Sequence, residues 1–173
     1  LPMLKKAKST VEKLESEIED LQNNIFYFIK NLDESSIGAS KFYIDVIGDL
    51  QDIAQSVSFI SKVSHKHINN NHKGLKTNQA KELKEIDLKL CDLLGKVRTI
   101  FDSRSFDEIF SLIEEKQEFL IDVSNYTQKQ VERTRTTESS PKNTTLYFSI
   151  LLETEDLIKA TMDLMELYST RKD

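Results

Sequence analysis

Apolar residues recur along this chain at alternating spacings of three and four, the period that gathers side chains on one face of a helix. The first stripe is Leu4, Ala7, Val11, Leu14, Ile18, Leu21, Ile25 and Phe28. It predicts a helix of about 30 residues, roughly 45 Å long. A second stripe, Tyr43, Val46, Leu50, Ile53, Val57 and Ile60, is widened by Ile47 and Ala54 into a bundle-type face and is expected to end near Ser64.

The stretch HKHINNNHKGLKTN, residues 65–78, breaks the pattern with three consecutive Asn and Gly74 and reads as a loop. Leu83, Ile86, Leu90, Leu93, Val97 and Ile100 then predict a third helix, stopped around residues 102–105. Ser105 and Glu108 have the spacing of a capping box and predict the start of a fourth. That helix carries Phe106, Ile109, Phe110, Ile113, Leu120 and Val123 and runs, more polar, toward Arg135. Ser140 followed by Pro141 predicts the start of the last helix, because proline at the first helical position lacks only an N–H that has no partner there anyway. Its stripe is Tyr147, Ile150, Leu151, Leu157, Ile158, Leu164, Met165 and Tyr168.

The second and fifth stripes share more than their period. At an offset of 104, Glu34, Ser35, Ser36, Tyr43 and Asp52 fall on Glu138, Ser139, Ser140, Tyr147 and Asp156, while Asp49 meets Glu153. The first and fourth helices come into phase at an offset of 105, with Leu14 on Phe119 and Ile18 on Val123. This predicts a duplicated helical hairpin within one domain, 1–173, with pseudo-repeats near 1–101 and 104–173 and a third helix in the first half alone. The expected fold class is all-α, an antiparallel bundle of about five long helices.

Composition agrees: of 173 residues only four are Gly and two Pro, and 31% are charged. The net charge of −5, with acids and bases interspersed, leaves no basic stripe to neutralise a phosphate backbone, so nucleic acid is not an expected partner. The single cysteine, Cys91, cannot form an internal disulfide and reads as a bystander thiol on a helix flank. No window is apolar enough to span a bilayer, so no direct membrane insertion by this segment is expected. The chain opens Leu1-Pro2-Met3 rather than with an initiator Met, which fits a fragment of a longer protein; Lys5, Lys6 and Lys8 would suit the cytoplasmic side of a preceding membrane span.

Two clusters could carry chemistry. Asp45, Asp49 and Asp52 share one helix face, and Glu153 and Asp156 occupy the corresponding positions of the other hairpin; carboxylates on facing helices are how bundles hold metal ions. The competing reading is a solvated acidic flank. The histidines His65, His67 and His72 sit together, and the i, i+2 pair could present two imidazoles to zinc, but no cysteine or carboxylate completes a four-ligand set. No Gly-rich phosphate loop, GxSxG or HExxH occurs, so catalysis is not expected, and a binding or regulatory role is.

The run KFYIDVIGDLQDIAQSVSFISKVSHKHINNNHKGL, residues 41–75, resembles the soluble carboxy-terminal region of bacterial sodium/phosphate cotransporter family proteins, which follows the membrane part and belongs to the PhoU-like helical domains. The residues that carry the resemblance are Tyr43, Ile53-Ala54, His67 and the loop Asn70-Asn71-His72-Lys73-Gly74-Leu75; KNTTLYFSILLETEDLIKATMDLMELY, residues 142–168, is similar to the family's closing helix. The resemblance implies a regulatory domain at the cytoplasmic face of the bacterial inner membrane, attached to a sodium-dependent phosphate transporter. Its partners would be the membrane part of the same polypeptide or a phosphate-signalling protein.

The resemblance also implies a metal pattern of an acid, three residues, then Asp. Asp45 and Asp49 fit it, and Glu153 remains in the second repeat, but Val46 stands where the family has arginine and Ser149 where it has the first acid. A divalent metal on Asp45, Asp49 and Glu153 is therefore one expectation and no cofactor the other, with His67, Asn70, Asn71 and His72 a candidate binding loop. Two other readings stay open: a free-standing metal-binding PhoU-type phosphate-signalling protein, and a ligand-free oligomerising scaffold, for instance a homodimer through the heptad-like stripe of the first helix.

Overall fold

The computed structural model describes residues 2–136 and 140–170. Each amphipathic stripe forms one long helix: α1 Pro2–Lys30, α2 Ile37–Asn69, α3 Thr77–Ser103, α4 Ile109–Thr136 and α5 Pro141–Ser169. Single 3₁₀ turns, Glu34–Ser36 and Phe106–Glu108, precede α2 and α4, and no strand occurs among the described residues. The chain is all-helical, and at about 1.5 Å per residue each helix runs some 40 to 50 Å.

Consecutive helices pack antiparallel where they touch. Lys62 of α2 reaches Glu15 of α1, while at the other end of that pair Phe28 meets Tyr43. Lys96 and Lys89 of α3 pair with Glu115 and Asp122 of α4, and Lys116 of α4 reaches Glu166 of α5. α2 also packs antiparallel on α5, with Phe42 against Tyr168. The result is a layer in the order α1, α2, α5, α4, with α3 laid over α4 and α5 alone.

Position in this layer explains the burial of each helix. α5 has neighbours on three sides, and its buried residues accordingly go round the helix instead of forming a stripe. The polar members satisfy themselves: the hydroxyls of Thr154 and Thr161 donate to the carbonyls of Ile150 and Leu157, each at 2.7 Å. The apolar core is built by α3, α4 and α5, through Ile86, Leu93, Ile100, Leu112, Phe119, Val123, Tyr147, Leu151 and Ile158. α2 buries small or polar residues, Ala54, Ser56 and Ser58; Ser56 lines a groove shared with α5, and Ser58 faces Glu15 of α1.

One end of the bundle is closed by rings. Phe28, Tyr43, Phe42, Tyr168, Phe101 and Phe106 form a continuous chain of aromatic contacts across α1, α2, α5, α3 and the 3₁₀ turn before α4, with centroids 4.8 to 5.7 Å apart and edge to face. The opposite end is closed by polar groups.

Some residues matched by the 104-residue offset lie close in space. Asp52, Gln55, Ser56 and Phe59 line one groove together with Asp156, Lys159, Ala160 and Asp163, each the residue 104 positions further on. Glu138 and Ser139, the partners of Glu34 and Ser35 in that alignment, lie outside the described residues.

Several boundaries differ from expectation. α2 does not stop near Ser64 but runs to Asn69, where Asn71, with φ of 54°, ends it in a left-handed cap: His72 N–H donates to His67 O and Asn71 N–H to Ile68 O. Three asparagines mark the cap and not the start of the loop. α3 begins at Thr77, before its apolar stripe, because Gln79 folds back to accept the Lys76 N–H at 3.0 Å. Ser105 makes no side-chain cap; its carbonyl accepts from Glu108 N–H in the 3₁₀ turn instead. Ser140 does cap α5, accepting from Asn143 N–H at 3.5 Å.

Candidate functional site

α3 covers the α4–α5 hairpin through side chains that answer one another. Arg133 on α4 makes a bidentate pair with Glu82 on α3, both bonds at 2.9 Å, and the Tyr147 hydroxyl of α5 donates to the same carboxylate. Gln79 donates to Gln130 Oε1 at 3.1 Å, and that oxygen also accepts Arg133 Nε. Further along, the Tyr126 hydroxyl donates to Glu85. Burial by itself would raise the Glu82 carboxyl, but the hydrogen bonds from Arg133 and Tyr147 and the Arg133 charge outweigh it and hold it below the ordinary range.

On the α1–α2 hairpin the equivalent positions are open. In the offset of 105, Arg133, Gln130 and Tyr126 correspond to Phe28, Ile25 and Leu21, and Tyr147 corresponds to Tyr43 at 104. Where the covered hairpin has polar groups matched to α3, this one has an apolar row: Leu21 is 48% exposed, Phe28 40% and Tyr43 36%. Phe26, Tyr27, Ile29, Ile37 and Ile44 extend exposed apolar surface around the same end of the hairpin.

The acidic positions do not assemble as expected. Asp45 and Asp49 line a groove with Asp52, Asp163 and Glu166, because α2 and α5 are antiparallel and bring Asp163, not Glu153, toward Asp49. Glu153 lies further along, with Asp52 and Asp156. Asp45 is also engaged by Lys41 at 2.5 Å. Among the described residues no three His, Cys, Asp or Glu side chains are grouped so that they could hold a metal ion, and Asp45 and Asp49 share their groove with Asp163 and not with Glu153. What the cluster does is electrostatic: desolvation, then Asp163, Asp52 and Asp45, push the Asp49 carboxyl up to about 6.

The histidines are also rearranged. Since α2 continues to Asn69, His65 and His67 are two residues apart on a helix and diverge by about 200°, so they cannot share a metal. His67 is buried and pairs with His72 instead, ring centroids 5.0 Å apart. His67 Nε2 lies 3.1 Å from the Lys73 carbonyl, which can only accept, so Nε2 carries the proton. His67, Asn70 and His72 line one small cavity; Asn71 serves as the helix cap.

Sequence reasoning missed the partners of these groups. Asn143 donates to the Gly74 carbonyl at 2.7 Å and pins the loop to the first turn of α5. The available signal was the run KNTT, residues 142–145, polar residues at the start of an otherwise largely apolar helix. Cys91 is exposed and free, on the flank of α3. No helix among the described residues is long and apolar enough to cross a membrane.

Compared with protein-family models, with curated proteins and with solved structures, the chain matches none.

Proposed function

We propose that this chain is a PhoU-like regulatory domain of a sodium-dependent phosphate transporter, held at the cytoplasmic face of the membrane and acting by protein contact rather than by catalysis. The transporter enters through the resemblance of residues 41–75 and 142–168 to that family. The contact enters through one observation: the largely exposed apolar residues Leu21, Ile25, Phe28 and Tyr43 match, at sequence offsets of 105 and 104, the positions that α3 covers on the other hairpin.

The occupant of that face is a single amphipathic helix of the transporter polypeptide. It would lie against α1 and α2 as α3 lies against α4 and α5, burying the exposed apolar row. Polar partners like Glu82 are not required, since the positions that would meet them are Leu21, Ile25 and Phe28.

The test is made in native cells with an antibody to this chain. The reading expects the antigen in the membrane fraction, and phosphate uptake altered by Leu21→Glu together with Phe28→Glu while the isolated domain keeps its helical content. Antigen confined to the soluble fraction, with uptake indifferent to deletion of the domain, would overturn it.

A further inference from the structure

At the polar end of the bundle, a cavity of about 190 Å³ opens between the last turns of α2 and the first turns of α5. Its polar lining is Lys66, His67 and Asn70 from α2 and its cap, His72 from the loop, and Lys142, Thr145 and Ser149 from α5. We propose that this cavity binds a small tetrahedral oxyanion of the phosphate or sulfate class.

The charge distribution is the first argument. In a chain of net charge −5, this lining holds two lysines, two histidines and no carboxylate. Among the described residues neither Lys66 nor Lys142 makes an ion pair, whereas eleven other Lys and Arg side chains do. At the opposite, pseudo-equivalent place on α2 the residue matching Ser149 is Asp45, which takes Lys41 as its partner. Serine for aspartate at position 149 removes the acid that would neutralise the cavity and leaves a hydroxyl that can donate.

Construction of the site is the second. His67 is more than nine-tenths buried at the cavity wall. The bond from Nε2 to the Lys73 carbonyl fixes the ring at the cavity wall. The loop that carries His72 is tied to α5 by Asn143 and Gly74, so both imidazoles keep a fixed relation to the helix start. That start adds the positive end of a helix of 29 residues, whose first N–H groups favour anions. The cavity is too small for a nucleotide and suits a free ion.

This inference stands on geometry alone and survives if the transporter reading fails. The experiment is a titration of ¹⁵N-labelled protein with inorganic phosphate, and in parallel with sulfate and with chloride at matched ionic strength, following the imidazole resonances of His67 and His72. Saturable shifts are expected with both oxyanions and not with chloride. Lys66→Met with Lys142→Met, both at exposed positions, is expected to weaken binding by about tenfold or more. Lys159→Met, in the acidic groove, is the control and should leave it unchanged. Equal shifts from chloride, or full binding by the double lysine variant, would overturn the site.

Discussion

Tyr147 donates its hydroxyl to Glu82 from a fully buried position, while Tyr43, its counterpart 104 residues earlier, lies at the surface with its ring edge against Phe28. The two tyrosines occupy the same register of equivalent helices. Only the first has a helix laid over it, and the presence of α3 converts a surface ring into the keystone of a polar network. Tyr147→Phe leaves Glu82 with Arg133 alone and should cost about 1 to 2 kcal/mol in urea unfolding. Tyr43→Phe should stay within about 0.5 kcal/mol of wild type. Equal effects would mean that α3 does not discriminate the two hairpins.

The pair Glu82 and Arg133 should behave as a unit. Removing one partner strands a partly buried charge, so Glu82→Leu and Arg133→Met are each expected to cost about 3 kcal/mol, and the double variant distinctly less than their sum. Because the Glu82 carboxyl is held below its ordinary value, its contribution is present above about pH 4.3 and is lost as pH falls through the folded value. The gap in urea midpoint between wild type and Glu82→Leu should therefore narrow as pH is lowered below about 4.3; a gap that does not change with pH would rule out ionic stabilisation.

Asp49 has the opposite sign. Its carboxyl is raised to about 6 by desolvation and by Asp163, Asp52 and Asp45, with Glu166 lining the same groove. The fold prefers the neutral form, so stability is highest below about pH 3.9, the unfolded value, and falls as pH rises through about 6. Asp49→Asn should stabilise the protein at pH 7.5 by about 1 kcal/mol once solvent screening is allowed for, and by almost nothing at pH 4. Melting temperatures across that range check it. A loss of stability at pH 7.5 would point to a cation held by the cluster.

How much of this was legible follows from what periodicity can report. Every stripe became a helix, since a run of four or more turns outweighs any local irregularity. Periodicity could not say which stripe would be covered. Leu157 is buried, yet Leu14 is only half-buried and Leu21 and Phe28 are exposed, because α1 touches α2 alone. Phe110 lies in a clean apolar pattern and still faces solvent. The surroundings of the acidic set were hidden for a related reason: the repeat pairs Asp49 with Glu153 by equivalence, whereas antiparallel packing brings Asp49 and Asp163 into one groove. His67 was visible as a residue but not as a wall, since Lys142, Thr145 and Ser149 approach it only through the fold.

Arg104 offers the last test, because it carries a cost that its neighbours determine. It sits at φ of 56° at the end of α3, where Ser105 N–H donates to Ile100 O at 3.2 Å and Arg104 N–H to Phe101 O at 3.4 Å. Those two bonds close a left-handed helix end, a conformation that costs a residue with Cβ about 1 kcal/mol and glycine far less. The chain accepts this because Phe101 and Phe106, on either side of the turn, must meet at 5.7 Å to complete the row of rings that closes the bundle. Arg104→Gly should therefore stabilise by roughly 0.5 to 1 kcal/mol, less any increase in unfolded-state entropy. Chemical denaturation of the two proteins side by side measures it. A destabilised glycine variant would show that the arginine side chain, and not the backbone cap, holds the α3–α4 turn.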